Sequence, residues 1–277
     1  MEKYSFVNDE NLPIIGAICG DILGSSYEFE PNKSLNLSLY TGKDEFTDDT
    51  ICTIAITDAL ERGIPFDESL RQWCRKYPRS DYGGRFGRWI YQENGKPYNS
   101  WGNGAAMRVS AAGAYAKTVK EARQIAKATA EVTHNHPEGI KGAEATAAVI
   151  QLAKSGEMSK QELKEYVEKE FGYDLSQSYE ELHKVYEYSE SCQDTFPAAF
   201  ISFYKGQDYE DVIRHAIALG GDADTLAAIA GSMAAAFYRS IGYETLNHCL
   251  GLLPQEMIEV LRKFRNAHSA NINCDTK

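Results

Sequence analysis

Two short stretches hold acids in numbers that folding alone does not require. "FTDDTICTIAITDAL" sets Asp48 and Asp49 side by side behind Thr47, just where an Ile- and Ala-rich helix begins. "GGDADTLAAIAGSMAAAF" sets Asp222 and Asp224 ahead of Thr225 at the start of a second such helix. A helix N-terminus carries about half a positive charge and unsatisfied N–H groups, so one Asp or Thr there is ordinary capping. Two acids at each of two similar starts exceed that need. Four carboxylates gathered without Lys partners repel one another unless they are protonated or bridged by cations. Carboxylate and hydroxyl oxygens, with no convergent Cys or His spacing, suit a hard ion, Mg²⁺ or Mn²⁺, rather than zinc. An EF-hand reading of "DADTLAAIAGSM" fails, because the sixth position lacks Gly and the twelfth is Met233 rather than Glu. Two divalent ions would nearly neutralise Asp48, Asp49, Asp222, Asp224 and Glu28, the count expected of a two-metal hydrolytic centre.

The elements that must hold these acids are helical. Apolar residues recur at helical spacing almost throughout, with little strand alternation. The spacing predicts helices over 67–77, 119–131, 139–154, 160–171, 179–189, 195–204, 209–219, 225–240 and 254–267. "PIIGAICGDILGS" puts Gly16, Gly20 and Gly24 on one helix face, which admits another backbone at close range, and Asp21 reads as a hydrogen-bonded core carboxylate. The long connections at 29–46 and 79–105 carry the glycines, aromatics and polar residues that sites favour. No repeat, linker or low-complexity tract interrupts the chain, so one all-α domain is expected over 1–277. The acidic stretch 157–194 reads as a solvated helical face.

Composition narrows the function. A net charge of -11 argues against nonspecific nucleic-acid binding, which needs clustered Lys and Arg. The apolar run from Leu12 to Leu23 is too short to span a bilayer and contains Asp21. "MEKYSFVNDENLP" lacks the basic and apolar segments of a signal peptide. Cys19, Cys52, Cys74, Cys192, Cys249 and Cys274 form no CxxC pair, and a reduced, cytoplasmic setting is expected.

Five motifs in order, "GDILGSSYE", "FTDDT", "SWGNGAAMR", "VTHNHPEGIKGA" and "GGDADTLAAIAG", resemble the ADP-ribosylglycohydrolase family from about Ile14 to Tyr238. The resemblance implies a compact orthogonal multi-helix bundle with two Mg²⁺ or Mn²⁺ ions. It implies hydrolysis of the glycosidic bond between ADP-ribose and an acceptor, a protein side chain or a small conjugate, with free ADP-ribose as product. Thr47, Asp48, Asp49, Asp222, Asp224 and Thr225 match the family's metal ligands, and Glu28 matches an acid near the metals in the serine-type branch. Cleavage at the anomeric carbon develops positive charge beside the ring oxygen, and a carboxylate must take a proton from the attacking water. Glu28, Asp48 or Asp49 could be that base.

The rest of ADP-ribose needs a cradle. "NSWGNGAAMR" offers Ser100, then Gly102 and Gly104 for close backbone approach, and Asn103 for ribose hydroxyls. Trp101 matches a family aromatic that stacks on adenine, and His134 aligns with a family His near the distal ribose. His136 belongs to the turn before Pro137. "RKYPRSDYGGRFGRW" gathers Arg75, Lys76, Arg79, Arg85 and Arg88, either as a solvated face or with Gly83 and Gly84 lining the site and an arginine on diphosphate. The same loop looks closer to the serine-type and broad bacterial branches than to the arginine-specific one. Two other readings are open: an all-α metal-dependent nucleotide phosphohydrolase, and an inactive ADP-ribose-binding member of the family.

Overall fold

Small and apolar residues run almost unbroken through two segments, and both become helices buried on every side. The computed structural model describes residues 4–272. Its described residues form α1 (Leu12–Ser25), α2 (Asp48–Arg62), α3 (Phe66–Lys76), α4 (Gly84–Tyr91), α5 (Ser110–Tyr115), α6 (Val119–Glu131) and α7 (Pro137–Ser155). They continue with α8 (Lys160–Phe171), α9 (Tyr179–Val185), α10 (Cys192–Lys205), α11 (Tyr209–Ala218), α12 (Ala223–Tyr238), α13 (Tyr243–Leu252) and α14 (Gln255–Ile272). The only sheet-like pairing among these residues is an isolated bridge between Gly102 and Ser191. The all-α fold expected from periodicity, and the multi-helix bundle implied by the resemblance, are therefore what form.

α1 and α12 make the most extensive helix pairing among the described residues, along the glycine face of α1. Gly16 lies against Gly231 and Ala235, Gly20 against the backbone of Ala227, and Gly24 against Asp224. A Cβ at Gly20 would stand 2.1 Å from the Ala227 carbonyl oxygen, so no larger residue fits without separating the helices. α10 and α11 pack on α12, while α5 and α7 close the other side.

Most expected helices appear within a few residues of their forecast ends. Three were not foreseen. α4 lies inside a stretch read as a loop, because its three glycines at 83, 84 and 87 mask an apolar face of Phe86, Trp89 and Ile90. α5 is only six residues long and α13 follows a Gly242 start without a side-chain cap, so both lack boundary signals. The helix expected over 179–189 stops at Val185, and the chain beyond it runs extended toward the 102–103 turn. No helix of the described residues is long and apolar enough to cross a membrane. The five described cysteines are free and buried, and Cys274 lies outside the described residues.

Candidate active site

The two acidic starts meet because α1 connects them. Asp21, fully buried on α1, accepts from the backbone N–H and Oγ1 of Thr47 at 3.1 and 2.7 Å, and from Thr50 N–H at 3.1 Å and its hydroxyl. Burial pushes its carboxyl up to about 6 against the pull of these four bonds. Thr47 caps α2 by accepting from Asp49 N–H at 3.2 Å. On the other side, Gly220 and Gly221 take φ of +75° and +88°, a left-handed turn open to glycine, and deliver Asp222 to the start of α12. There Asp222 makes no capping bond; Asn103 Nδ2 holds its Oδ2 at 2.7 Å instead. Capping is thus done by Thr47 at one start; at the other, Asp224 Oδ1 accepts from Thr225 N–H at 2.9 Å and Asp222 is left free of capping.

Glu28, in the turn after α1, completes the cluster. Ligand oxygens of Glu28, Asp222 and Asp224 lie within 4.8 Å of one another. Asp48 and Asp49 border the same cavity, and Asp49 Oδ2 is buried with no hydrogen-bond partner. None of these five acids forms an ion pair with Lys or Arg among the described residues. Burial first, then repulsion among the acids, holds Asp48, Asp49 and Asp224 well above the usual carboxylate range. The same causes, with Asp222 and Asp81 as the strongest repelling charges, bring Glu28 up to about 7. An orphaned buried oxygen, an uncapped Asp and an unbalanced charge all fit hard divalent cations. Thr225 lines the cavity beside them. Thr47 stands behind the cavity wall, its hydroxyl proton committed to Asp21.

The cavity, about 250 Å³, runs from these acids toward a wall of glycines and bases. Ser100, Gly102, Asn103, Gly104, His134, Gly83 and Gly84 all line it. A Cβ at Gly83 or Gly84 would meet nothing within 4 Å, so neither packing nor φ demands glycine there. Their small size leaves room in the cavity itself. Asn103 departs from expectation: its amide nitrogen is spent on Asp222 and on Thr195 Oγ1 at 3.2 Å, so it orients an acid rather than offering that nitrogen to ribose. Trp101 lies outside the cavity wall, half-exposed and edge-on to His136 at 5.7 Å. His136 caps α7 through Glu138 N–H, as its place before Pro137 suggested.

Over residues 14–270 the sequence matches the family model described as ADP-ribosylglycohydrolase. The chain belongs to the ADP-ribosylglycohydrolase family. Among curated relatives of this family member, the ADP-ribosylhydrolase ARH3 of Homo sapiens is 26% identical over 81% of this chain and 84% of that protein. The ADP-ribosylarginine hydrolase Tri1 of Pseudomonas putida (strain GB-1) is 25% identical over 81% of this chain and 69% of its own length. A solved structure of an ADP-ribosylglycohydrolase-related protein complex shares the fold, with a TM-score of 0.73 at 22% identity over 93% of this chain and 97% of that one.

In this member of the family, several cavity residues were not singled out from the sequence. Asp81, Tyr98, Met107, Arg108, Tyr188 and Glu190 reach the site from four separate segments. Asp81 immediately precedes "YGG", so this loop places an acid in the cavity wall. Tyr188 and Glu190 end the stretch read as a solvated face; the backbone of Glu190 accepts from Asn103 N–H at 2.7 Å and brings both to the cavity. Of the basic cluster, only Arg85 lines it, joined by the deeper Arg108 from the segment after the 102–104 turn.

Proposed function

We propose that this protein is a metal-dependent hydrolase that cleaves the glycosidic bond between ADP-ribose and an acceptor on a protein or small molecule. The observation that carries the reading is the convergence of two helix starts and Glu28 on one cavity as five unpaired carboxylates. Family membership and the names of the relatives, ADP-ribosylhydrolase and ADP-ribosylarginine hydrolase, support the substrate class.

Asp48, Asp49, Asp222, Asp224 and Thr225, with the remaining lone pair of Thr47, would hold two Mg²⁺ or Mn²⁺ ions. Bound there, such ions supply Lewis acidity and make a nearby water a better nucleophile at neutral pH. Glu28, half-buried and crowded by like charge, takes the proton of the attacking water, with Asp48 and Asp49 as the other proton acceptors in reach of the cavity. Gly83 and Gly84 open the start of α4, whose first N–H groups have no side-chain cap, and these face diphosphate. Ser100, Gly102, Gly104 and His134 surround the ribose next to it. A cavity of about 250 Å³ falls below the usual 300–1,000 Å³ of sites that enclose a drug-sized ligand, so the adenine lies outside, on the half-exposed Trp101 ring. The free buried thiols suit a reducing, cytoplasmic setting.

The test is to incubate the protein and Mg²⁺ separately with ADP-ribosyl-arginine, ADP-ribosyl-serine and ADP-ribose. Release of free ADP-ribose from either conjugate is the expected result, and the faster conjugate names the acceptor. AMP formed from ADP-ribose would make the protein a phosphohydrolase instead. Binding without any product would make it an ADP-ribose-binding module.

A further inference from the structure

Behind the glycine wall sits a cation without a counterion. Arg108 is 1% exposed, pairs with no carboxylate among the described residues, and has an Nε with no hydrogen-bond partner. Its Nη2 donates to the Thr129 carbonyl at 2.8 Å and to Thr133 Oγ1 at 2.8 Å. A guanidinium only donates, so Thr133 spends a lone pair on it and keeps its own proton. Thr133 is fully buried, and its Oγ1 lies 2.7 Å from His134 Nδ1. Leaving that hydroxyl proton unpaired would cost a buried hydrogen bond, so the O–H points at Nδ1 and makes it the acceptor. The ring is neutral: burial, then the charges of Arg108 and Arg85, holds His134 well below the usual imidazole range, and the remaining ring neighbour is Tyr98 at 5.8 Å. A neutral imidazole accepting at Nδ1 carries its proton on Nε2. Nε2 faces the 102–104 turn, 3.1 Å from where a Cβ of residue 104 would stand, and has no protein partner among the described residues.

We infer that Arg108 and Thr133 hold His134 in its Nε2–H tautomer, so that the cavity presents a fixed neutral donor to an oxygen of the bound substrate. Thr133 is a positioning residue, acting only through His134. That the oxygen belongs to ADP-ribose rests on the proposed function; the tautomer does not.

Two measurements test the relay in the full-length protein. Long-range proton–nitrogen spectra of ¹⁵N-histidine-labelled protein, with His134 assigned through His134→Gln, should show Nε2–H in the wild type. Thr133→Val should shift His134 toward Nδ1–H and weaken ADP-ribose, titrated calorimetrically in Mg²⁺, by about three- to tenfold, the loss of one neutral hydrogen bond. Thr133→Ser should restore both readouts, which a merely structural role for Thr133 would not require. A wild-type Nδ1–H signal, or a Thr133→Val protein with unchanged tautomer and affinity, overturns the inference. If Thr133→Val does not fold, the wild-type spectrum alone decides the relay. A wild type that binds no ADP-ribose overturns the proposed substrate, and the spectra still support or refute the relay by themselves.

Discussion

Replacing Asp224 by Asn should make the metal-free protein more stable while removing its response to metal. The oxygens of Glu28, Asp222 and Asp224 stand within 4.8 Å of one another. At an effective dielectric of about 20, two unit charges at that separation repel by about 3.5 kcal/mol, and three such pairs by about 10. The cluster avoids most of this by taking up protons, which is why Asp224 lies well above the usual carboxylate range and Glu28 at about 7. The Asp224→Asn change would remove two of the three repulsions without a proton, and the new amide would donate to Asp222 the bond that now needs one. Because protonation already relieves part of the strain, the net gain should be about 1–3 kcal/mol, or about 2–5 °C in melting temperature for a chain of this size. The sign with pH follows. A carboxyl whose folded pKa is raised stabilises the metal-free fold below its unfolded pKa and loses that contribution as pH rises through the folded value. The advantage of the Asp224→Asn protein should therefore grow from pH 5 to pH 7.5. Saturating Mg²⁺ at a hundred times its Kd should add about 2.7 kcal/mol to the wild type and far less to the variant, so the two melting temperatures cross as Mg²⁺ is added. An Asp224→Asn protein that melts lower without metal and rises as much with Mg²⁺ would refute the electrostatic account.

The same protonation should make Mg²⁺ affinity climb with pH as Glu28 loses its proton around pH 7, with protons released on binding; calorimetry in buffers of different ionisation enthalpy measures both, and a pH-independent affinity would contradict the crowding. Gly20→Ala should cost about 2 kcal/mol or more, because its Cβ meets the Ala227 backbone rather than a movable side chain; chemical denaturation checks this, and a neutral effect would mean the helices separate freely. Trp101→Ala should leave the stability within about 0.5 kcal/mol of wild type, since the ring is half-exposed, yet weaken ADP-ribose roughly ten- to a hundredfold in a titration; equal affinities would move adenine elsewhere.

What could be read from the sequence was local. Thr47 with Asp48 and Asp49, and Gly221 with Asp222 and Asp224, announce themselves because helix starts have a short grammar, and a surplus of acids within it is visible without a fold. The Gly16, Gly20 and Gly24 face was equally plain and does bring α12 close. Residues whose role depends on distant chain were hidden. Glu190 reaches the cavity through one backbone bond to Asn103, and Arg108 through two bonds to residues more than twenty positions away. Asn103 looked like a ribose ligand because an amide in a Gly-rich turn usually faces a ligand; that its nitrogen holds Asp222 follows only from the tertiary approach of the 102–104 turn to the start of α12.

The contact between α1 and α12 also bears on which ion the cluster accepts. Gly24 abuts Asp224 while Asp21, less than one turn earlier, grips the start of α2, so a single rigid rod spans both sets of acids. Mg²⁺ holds its oxygens at about 2.0–2.1 Å and Ca²⁺ at about 2.3–2.6 Å. Seating the larger ion would oblige the two starts to spread, and the backbone-on-backbone seam at Gly20 and Gly24 gives up its packing for every fraction of an ångström they part. Ion size would then be discriminated by a helix that contributes no ligand of its own, acting as the calliper of the site.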